Sequence, residues 1–177
     1  MEKTKKILVP TDLSENSRAA LRLAFSLGTV NGVEIVVLHV ARELSAWQIP
    51  DELSLLEPRF LQWEADRVIN EANLDLSRFL EGHRDDFRNN FIVRKKVVRG
   101  AVGEKIVDVA CLESADLIIM SPNPHGAFRR LFSRSVTERI TREAPCPVLS
   151  VCPPRMQEPP HERMVPVFGN LLQGSRA

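Results

Sequence analysis

Two separate stretches of the chain carry side chains that could bind an anionic ligand with hydroxyl groups. Asp12 directly follows an apolar run, and a carboxylate there could accept a hydrogen bond from a ribose hydroxyl or a base amine. Ser135-Val-Thr-Glu138 has the spacing of a capping box at the start of a helix, where free amides favour a phosphate. Three arginines that precede this box would add positive charge: Arg129, Arg130 and Arg134.

Both stretches also have an ordinary structural explanation. Asp12-Leu-Ser-Glu15 could simply begin the first helix, with Asp12 or Ser14 as its N-cap. The arginines could form a solvated basic face beside a normal cap. Taken alone, these residues favour the structural explanation.

No catalytic or metal-binding pattern accompanies them. The motifs GxxxxGK[ST], GxGxxG, HExxH and GxSxG are absent from the sequence. His125 has no second metal ligand nearby, and His39 falls in an apolar run typical of a hydrogen-bonded core histidine. Without an assembled catalytic constellation, we expect no enzyme. The three cysteines lack CxxC spacing, so we expect reduced, mostly buried thiols, with Cys152 more exposed than Cys111 and Cys146.

The composition indicates one globular domain. The chain has 177 residues, 44% of them hydrophobic, and 24 basic against 23 acidic side chains leave a net charge of +1. So small a charge does not attract nucleic acid or an anionic membrane. The apolar run Ile7-Leu-Val9 is too short for a signal peptide or a membrane span, so we expect a cytoplasmic protein.

Short β-rich runs alternate with helical patterns over most of the chain. Strands are predicted at 6–10, 33–40, 91–99, 115–120 and 147–152, and helices at 14–27, 58–80, 103–112 and 135–143. This alternation predicts a parallel sheet with right-handed crossovers and helices on both faces. The third strand is the most charged, which favours a place at the sheet edge.

Two segments interrupt the alternation. Residues 41–57 predict a loop whose apolar side chains cap the core or, alternatively, a lid or partner surface. Residues 153–177 hold five of the twelve prolines and predict a mostly irregular tail after a domain at 1–152. Its apolar cluster, Met164-Val-Pro-Val-Phe168 with Leu171 and Leu172, could dock on the domain or on a second subunit, although a tail without such contacts is the simpler interpretation.

Open parallel sheets bind ligands beyond the carboxyl ends of their strands, where the strand order reverses. With the first and fourth predicted strands as central neighbours, Pro10-Thr-Asp12 and Met120-Ser121 would line this crevice. The long connection from Ser121 to Arg134 would then be the ligand loop.

Six segments of this sequence match motifs of one known protein family and occur in the same order along the chain. They are Ile7-Leu-Val-Pro-Thr-Asp-Leu-Ser14, Val37-Leu-His-Val40, Gly100, Ala115-Asp-Leu-Ile-Ile-Met120, Ser135-Val-Thr-Glu138 and Ala144-Pro-Cys-Pro-Val-Leu-Ser-Val151. From about Lys5 to Cys152 the chain therefore resembles the universal stress proteins. The resemblance implies a Rossmann-like α/β fold with an open five-stranded parallel sheet of order 3-2-1-4-5. It also implies a homodimer in which the last strands, here Pro147 to Cys152, pair.

The resemblance further implies a nucleotide site, because many members bind ATP in this crevice. By position, the adenine and ribose side would be Pro10, Thr11, Asp12 and Val40. The phosphate side would be the loop after Met120, starting at Ser121, together with Arg134, Ser135, Val136 and Thr137.

Three glycines of the family's ATP motif are missing from this chain. Members that bind ATP carry a glycine, two residues, a second glycine, nine residues and a third glycine, and these positions are occupied by Ser121, Pro124 and Arg134. Pro124 has no amide proton to donate, and Arg134 places a side chain where bare backbone would approach a phosphate. We therefore expect a weak or absent ATP site and predict no firm cofactor.

These features together predict a cytoplasmic, homodimeric regulatory module of the stress response that binds an unknown protein partner. The alternative is a nucleotide-binding switch, in which AMP or ATP with Mg occupies the crevice between Asp12 and Ser135, and Arg134 contacts a phosphate. A phosphate-ester hydrolase is the third hypothesis, and it lacks a companion carboxylate for Asp12.

Overall fold

The elements alternate in the predicted order. The computed structural model describes residues 6–28, 33–41, 58–82, 92–121 and 134–152, without the side chains of residues 58–61, 134 and 135. In these ranges lie β1 (Lys6–Thr11), α1 (Ser17–Gly28), β2 (Glu34–Ala41), α2 (Pro58–Glu81), β3 (Ile92–Arg99), α3 (Val102–Leu112), β4 (Leu117–Met120), α4 (Arg134–Glu143) and β5 (Val148–Ser150). None of the helices in these ranges has both the length and the apolar character needed to cross a bilayer.

Several predictions fall outside the described residues. These are the lid or loop after Ala41, the ligand loop from residue 122 to 133 and the tail from residue 153 onwards. The phosphate contacts of Arg129 and Arg130, the lost amide donor at Pro124 and the docking of the apolar tail cluster therefore stay predictions.

The five strands form one parallel sheet in the order β3-β2-β1-β4-β5. Residues Lys6–Thr11 pair in register with Glu34 to His39 of β2, and Ile7 lies opposite Leu117 of β4 on the other side. The strand order thus reverses at β1, which confirms the predicted topology and places a crevice at the carboxyl end of this strand. The charged strand β3 lies at an edge, as predicted.

Both faces of the sheet are buried. Because successive side chains of a strand point to opposite faces, Ile7 and Val9 pack with α1 and α2, whereas Leu8 packs with α3 and α4. Leu8 and Val9 are fully buried, and burying a side chain of this kind stabilises the fold by about 1.5–3 kcal/mol. Strands that are apolar on both faces therefore require helices on both faces, as the sequence predicted.

A cluster of charges near the amino ends of the strands ties α3 to three of them. The side chain of Glu113, which follows α3, is only 10% exposed and pairs with Arg94, with Lys96 (Nζ to Oε1, 2.6 Å) and with Lys6 (Nζ to Oε2, 3.4 Å). Arg94 also binds Glu34 (Nε to Oε1, 2.7 Å). Hydrogen bonds from Arg94 and Lys96 lower the pKa of Glu113 from 4.5 to about 2.

The thiols are more exposed than predicted. Cys111 and Cys152 are exposed, Cys146 is half-buried, and all three are free. The expectation of mostly buried thiols is wrong for Cys111, because the core-facing side of α3 is occupied by other residues of that helix. Burial raises the pKa of the Cys146 thiol, which disfavours its reactive thiolate form.

We expect Glu113→Gln to lower the free energy of unfolding by about 1–2 kcal/mol at pH 7, since partly exposed Arg94 and Lys96 lose a charged partner. Folded Glu113 stays ionised down to about pH 2, whereas the unfolded chain takes up this proton near pH 4.5. The stability of the parent should therefore fall as the pH falls through that window, and the variant should lose this contribution. Urea unfolding between pH 7 and pH 2.5 measures both effects.

The control for this experiment is Glu71→Gln, which changes a glutamate on α2 whose side chain is 57% exposed and pairs with Arg67. It should leave the free energy of unfolding within about 0.5 kcal/mol of the parent and keep its acid dependence. Equal acid profiles for the two variants would contradict the role given to Glu113.

Candidate functional site

The chain turns sharply after β1, and side chains hold this turn together. Leu13 has a φ of 62°, a left-handed conformation that is uncommon for a residue other than glycine. Its amide donates to Thr11 Oγ1 (3.0 Å), and the Ser14 amide donates to Asp12 Oδ1 (3.0 Å). The polar side chains at the end of β1 therefore satisfy the main-chain donors of the turn.

Asp12 is a buried carboxylate with several donors on one oxygen. The residue is 4% exposed, and its Oδ1 accepts hydrogen bonds from Ser14 Oγ (2.5 Å) and from Ser17 Oγ. Ser17 Oγ also accepts a hydrogen bond from the Asp12 amide (3.2 Å). A buried charge without such donors would cost several kcal/mol. The contact of Ser14 Oγ with the Ser17 amide (3.4 Å) is that of an N-cap, so the structural role predicted for Ser14 is confirmed. Helix α1 begins at Ser17, three residues later than predicted, and Asp12 holds the turn before it instead of capping it.

His39 contacts the same turn from the neighbouring strand. It lies opposite Thr11 in the register of β1 and β2, and its Nδ1 is 3.0 Å from the Thr11 carbonyl oxygen. Because a carbonyl can only accept, Nδ1 carries the proton in this contact. The histidine is hydrogen-bonded, as predicted, but half-buried rather than fully in the core.

A small cleft, partly open to solvent, lies beside this turn. Four residues predicted for the adenine and ribose side meet there: Pro10, Thr11, Asp12 and Val40. The other described residues that line it are Leu38, His39, Val102 and Ile106. The walls are mainly apolar with one buried carboxylate, a combination suited to a flat ring with hydroxyl groups attached.

Val102 and Ile106 are cleft residues that the sequence analysis missed. Both lie on α3, four residues apart, so they share the helix face turned towards the sheet. Gly100 makes this placement possible, because its φ of 139° suits only glycine and its amide donates to the Ala41 carbonyl (3.2 Å). The signal was present in the sequence as a glycine just before a helical pattern.

The described residues that were predicted for the phosphate side do not line the cleft. Ser121 is 2% exposed, and its hydroxyl donates to the Val151 carbonyl, so it fastens the end of β4 to the chain after β5. Met120 is buried, while Val136 and Thr137 are half-buried in the first turns of α4. The described residues that line the cleft do not include Met120, Ser121, Val136 or Thr137.

Helix α4 begins at Arg134, one residue earlier than predicted. It packs against α3 at Gly103, where an added Cβ would lie 3.3 Å from Arg139 Cδ. The side chains of Arg134 and Ser135 lie outside the description, so the predicted capping box and phosphate contacts stay predictions.

The sequence model of the universal stress protein family matches residues 3–151. The chain belongs to the universal stress protein family. Universal stress protein MJ0577 of Methanocaldococcus jannaschii is 29% identical over 152 residues, which cover 83% of this chain and 94% of that protein. A universal stress protein of Thermus aquaticus is also 29% identical, over 83% of this chain and 98% of its own length.

Solved structures of universal stress proteins share the fold. The MJ0577 structure matches with a TM-score of 0.65 over 85% of this chain and 96% of its own, at 29% identity. A universal stress protein of Archaeoglobus fulgidus in complex with dAMP has a TM-score of 0.51 at 18% identity, over 85% of this chain and 98% of its own. A family protein of Arabidopsis thaliana with AMP bound has a TM-score of 0.53 at 13% identity, over 89% and 97%. At these lower identities the likeness shows the fold alone.

We expect Ser17→Ala to lower the free energy of unfolding by about 1–3 kcal/mol, because it leaves a buried amide and a buried carboxylate short of one partner each. Ser26→Ala is the matched control on the same helix, where an exposed hydroxyl donates to the Arg22 carbonyl (3.0 Å). The control should change stability by less than about 0.5 kcal/mol. Urea unfolding followed by circular dichroism compares them, and equal stabilities would contradict the role of Ser17.

Proposed function

We propose that this universal stress protein is a homodimeric regulatory module whose crevice takes the nucleoside end of an adenine nucleotide without holding a triphosphate tightly. The observation that carries the proposal is the cleft, in which Pro10, Thr11, Asp12 and Val40 lie together beside an apolar wall. The cytoplasmic location of the protein and its binding to a protein partner stay predictions from the sequence.

The nucleoside half of the proposal rests on the chemistry of the cleft walls. Val40 and the half-buried Val102 line the cleft and pack in one apolar cluster, against which an adenine ring could pack. The Asp12 carboxylate is an acceptor for a ribose hydroxyl, since a carboxylate oxygen accepts more than one hydrogen bond. The AMP and dAMP bound to two structures of the same fold support a ligand of this class.

The weak hold on a triphosphate rests on Ser121, Pro124 and Arg134. Ser121 is buried and its hydroxyl is already used by the Val151 carbonyl, so it offers neither a bare backbone nor a spare donor. Pro124 has no amide proton. We therefore expect the β- and γ-phosphates of ATP to gain few main-chain hydrogen bonds, and AMP and ATP to bind with similar affinity.

The function is proposed without a catalytic step. Among the side chains that the structure describes, no group of three or more histidine, cysteine or carboxylate residues is placed to hold a metal ion. The expectation that this protein is not an enzyme stays a prediction.

Calorimetric titration of the full-length protein with AMP and with ATP-Mg tests this proposal. We expect dissociation constants that differ by no more than about threefold, because the outer phosphates add little; a tenfold difference would correspond to about 1.4 kcal/mol. A triple variant, Ser121→Gly with Pro124→Gly and Arg134→Gly, restores the family's motif and should bind ATP at least about tenfold tighter than the parent, with AMP affinity little changed.

Two results would contradict the proposal. Binding of ATP by the parent about tenfold tighter than AMP would show that the missing glycines do not matter. Binding of neither nucleotide by parent or triple variant would overturn the nucleoside site itself.

The proposed dimer rests on the exposed edge of the sheet at β5. This strand pairs with β4 on one side, and Leu149 is 41% exposed, an unusual residue to leave at an open edge. Among the described residues no strand pairs with the other side of β5, and a second copy of the same strand would cover this side and the apolar side chain.

We expect Leu149→Lys to convert the parent dimer into a monomer, because it places a charge in the interface. Sedimentation velocity measures the change. Leu74→Lys is the matched control on α2, where a 57% exposed leucine is replaced, and it should sediment as the parent does. A Leu149→Lys protein that still sediments as a dimer would contradict this interface.

A further inference from the structure

The peptide group that joins Thr11 to Asp12 is held by side chains from two different elements. Its carbonyl oxygen accepts a hydrogen bond from His39 Nδ1 of β2 (3.0 Å). Its amide donates to Ser17 Oγ of α1 (3.2 Å). Ser17 Oγ donates in turn to Asp12 Oδ1, so the orientation of this peptide and that of the carboxylate are linked.

His39 is one of the residues that line the cleft, and its ring reaches this peptide from the neighbouring strand. Ile35 and Val37 on the same strand pack with α1 and α2, whereas Val40 packs on the side that carries α3. Alternation along the strand therefore directs the His39 ring towards the side of α1. An apolar side chain of similar size would fill this space and leave the Thr11 carbonyl without its side-chain partner.

The turn that follows needs such support. Leu13 has a φ of 62°, and a left-handed residue other than glycine costs about 1–2 kcal/mol. A strained turn relaxes when its neighbouring peptide can rotate, and a rotation of the Thr11–Asp12 peptide would turn its amide away from Ser17 Oγ, which also holds Asp12 Oδ1. The hydrogen bond from His39 resists that rotation.

We infer that His39 is a positioning residue, which fixes the Thr11–Asp12 peptide and thereby the turn that holds the Asp12 carboxylate at the edge of the cleft before a ligand arrives. The identity of the ligand, a ribonucleoside, rests on the proposed function. The benefit is pre-organisation, since a carboxylate that is already held in place loses little freedom when it accepts a ribose hydroxyl.

Two substitutions separate positioning from simple packing. His39→Asn places an amide N–H donor close to the position of Nδ1 and keeps the hydrogen bond to Thr11. His39→Leu fills the space without a donor. Val97→Ala is the control, because Val97 lies opposite His39 in the register of β2 and β3 and packs on the same core with a side chain that cannot form hydrogen bonds.

The first measurement is the ratio of the dissociation constants of 2′,3′-dideoxyadenosine and adenosine. The parent should prefer adenosine by about tenfold, the value of a hydrogen bond to a charged group. His39→Leu should bring the ratio towards one, while His39→Asn and Val97→Ala keep it within about twofold of the parent. A merely structural role would weaken both ligands equally and leave the ratio unchanged.

The second measurement needs no ligand and uses hydrogen exchange by NMR at the Asp12 amide. His39→Leu should accelerate exchange there by about tenfold relative to core amides of β1, because the peptide is no longer held from both sides. His39→Asn and Val97→Ala should exchange as the parent does at this position.

The outcomes distinguish the inference from the proposed function. If the parent prefers adenosine and His39→Leu keeps both the preference and the slow exchange at Asp12, the inference is overturned while the nucleoside site stands. If the parent binds neither nucleoside, the proposed function fails and hydrogen exchange alone decides. Faster exchange in His39→Leu with parent-like exchange in His39→Asn supports positioning, and unchanged exchange overturns it.

Discussion

A buried carboxylate has to be hydrogen-bonded, and that requirement organises the carboxyl end of this sheet. Asp12 is 4% exposed, and its oxygen Oδ1 is held by hydroxyl and amide donors from Ser14 and Ser17. The same bonds set the exit of the chain from β1, the start of α1 and the edge of the cleft. A change in one of these partners would therefore affect the turn, the helix start and the site together.

Different polar groups lie at the amino ends and at the carboxyl ends of the strands. Near the amino ends, Glu113 and Glu34 join α3 to the strands through Lys6, Arg94 and Lys96. These pairs contribute to stability and lie away from the cleft. At the carboxyl end of β1, the hydroxyl groups of Ser14 and Ser17 bind the Asp12 carboxylate beside the cleft.

Ser121 is a position at which this chain departs from the family's ATP motif. Where the family's ATP motif has its first glycine, this chain has a serine that is buried and fastened to the Val151 carbonyl. The substitution thus gives a bond between β4 and the chain after β5 in place of a bare backbone at the crevice. This exchange of a ligand contact for an internal contact is consistent with a site that recognises a nucleoside more than its outer phosphates.

Local patterns in the sequence determined the order of elements, the parallel sheet and the charged edge at β3, because periodicity and turn residues act between near neighbours. The resemblance placed Pro10, Thr11, Asp12 and Val40 on one side of the crevice, and the structure brings them together. Tertiary structure alone decided the contacts between distant residues. His39 meets Thr11 from 28 positions away, and Lys6 meets Glu113 from 107 positions away. No periodicity encodes such pairs, since they arise only when strands align in register and helices cross over them, and for the same reason the exposure of Cys111 and the cleft wall on α3 appeared only in the folded chain.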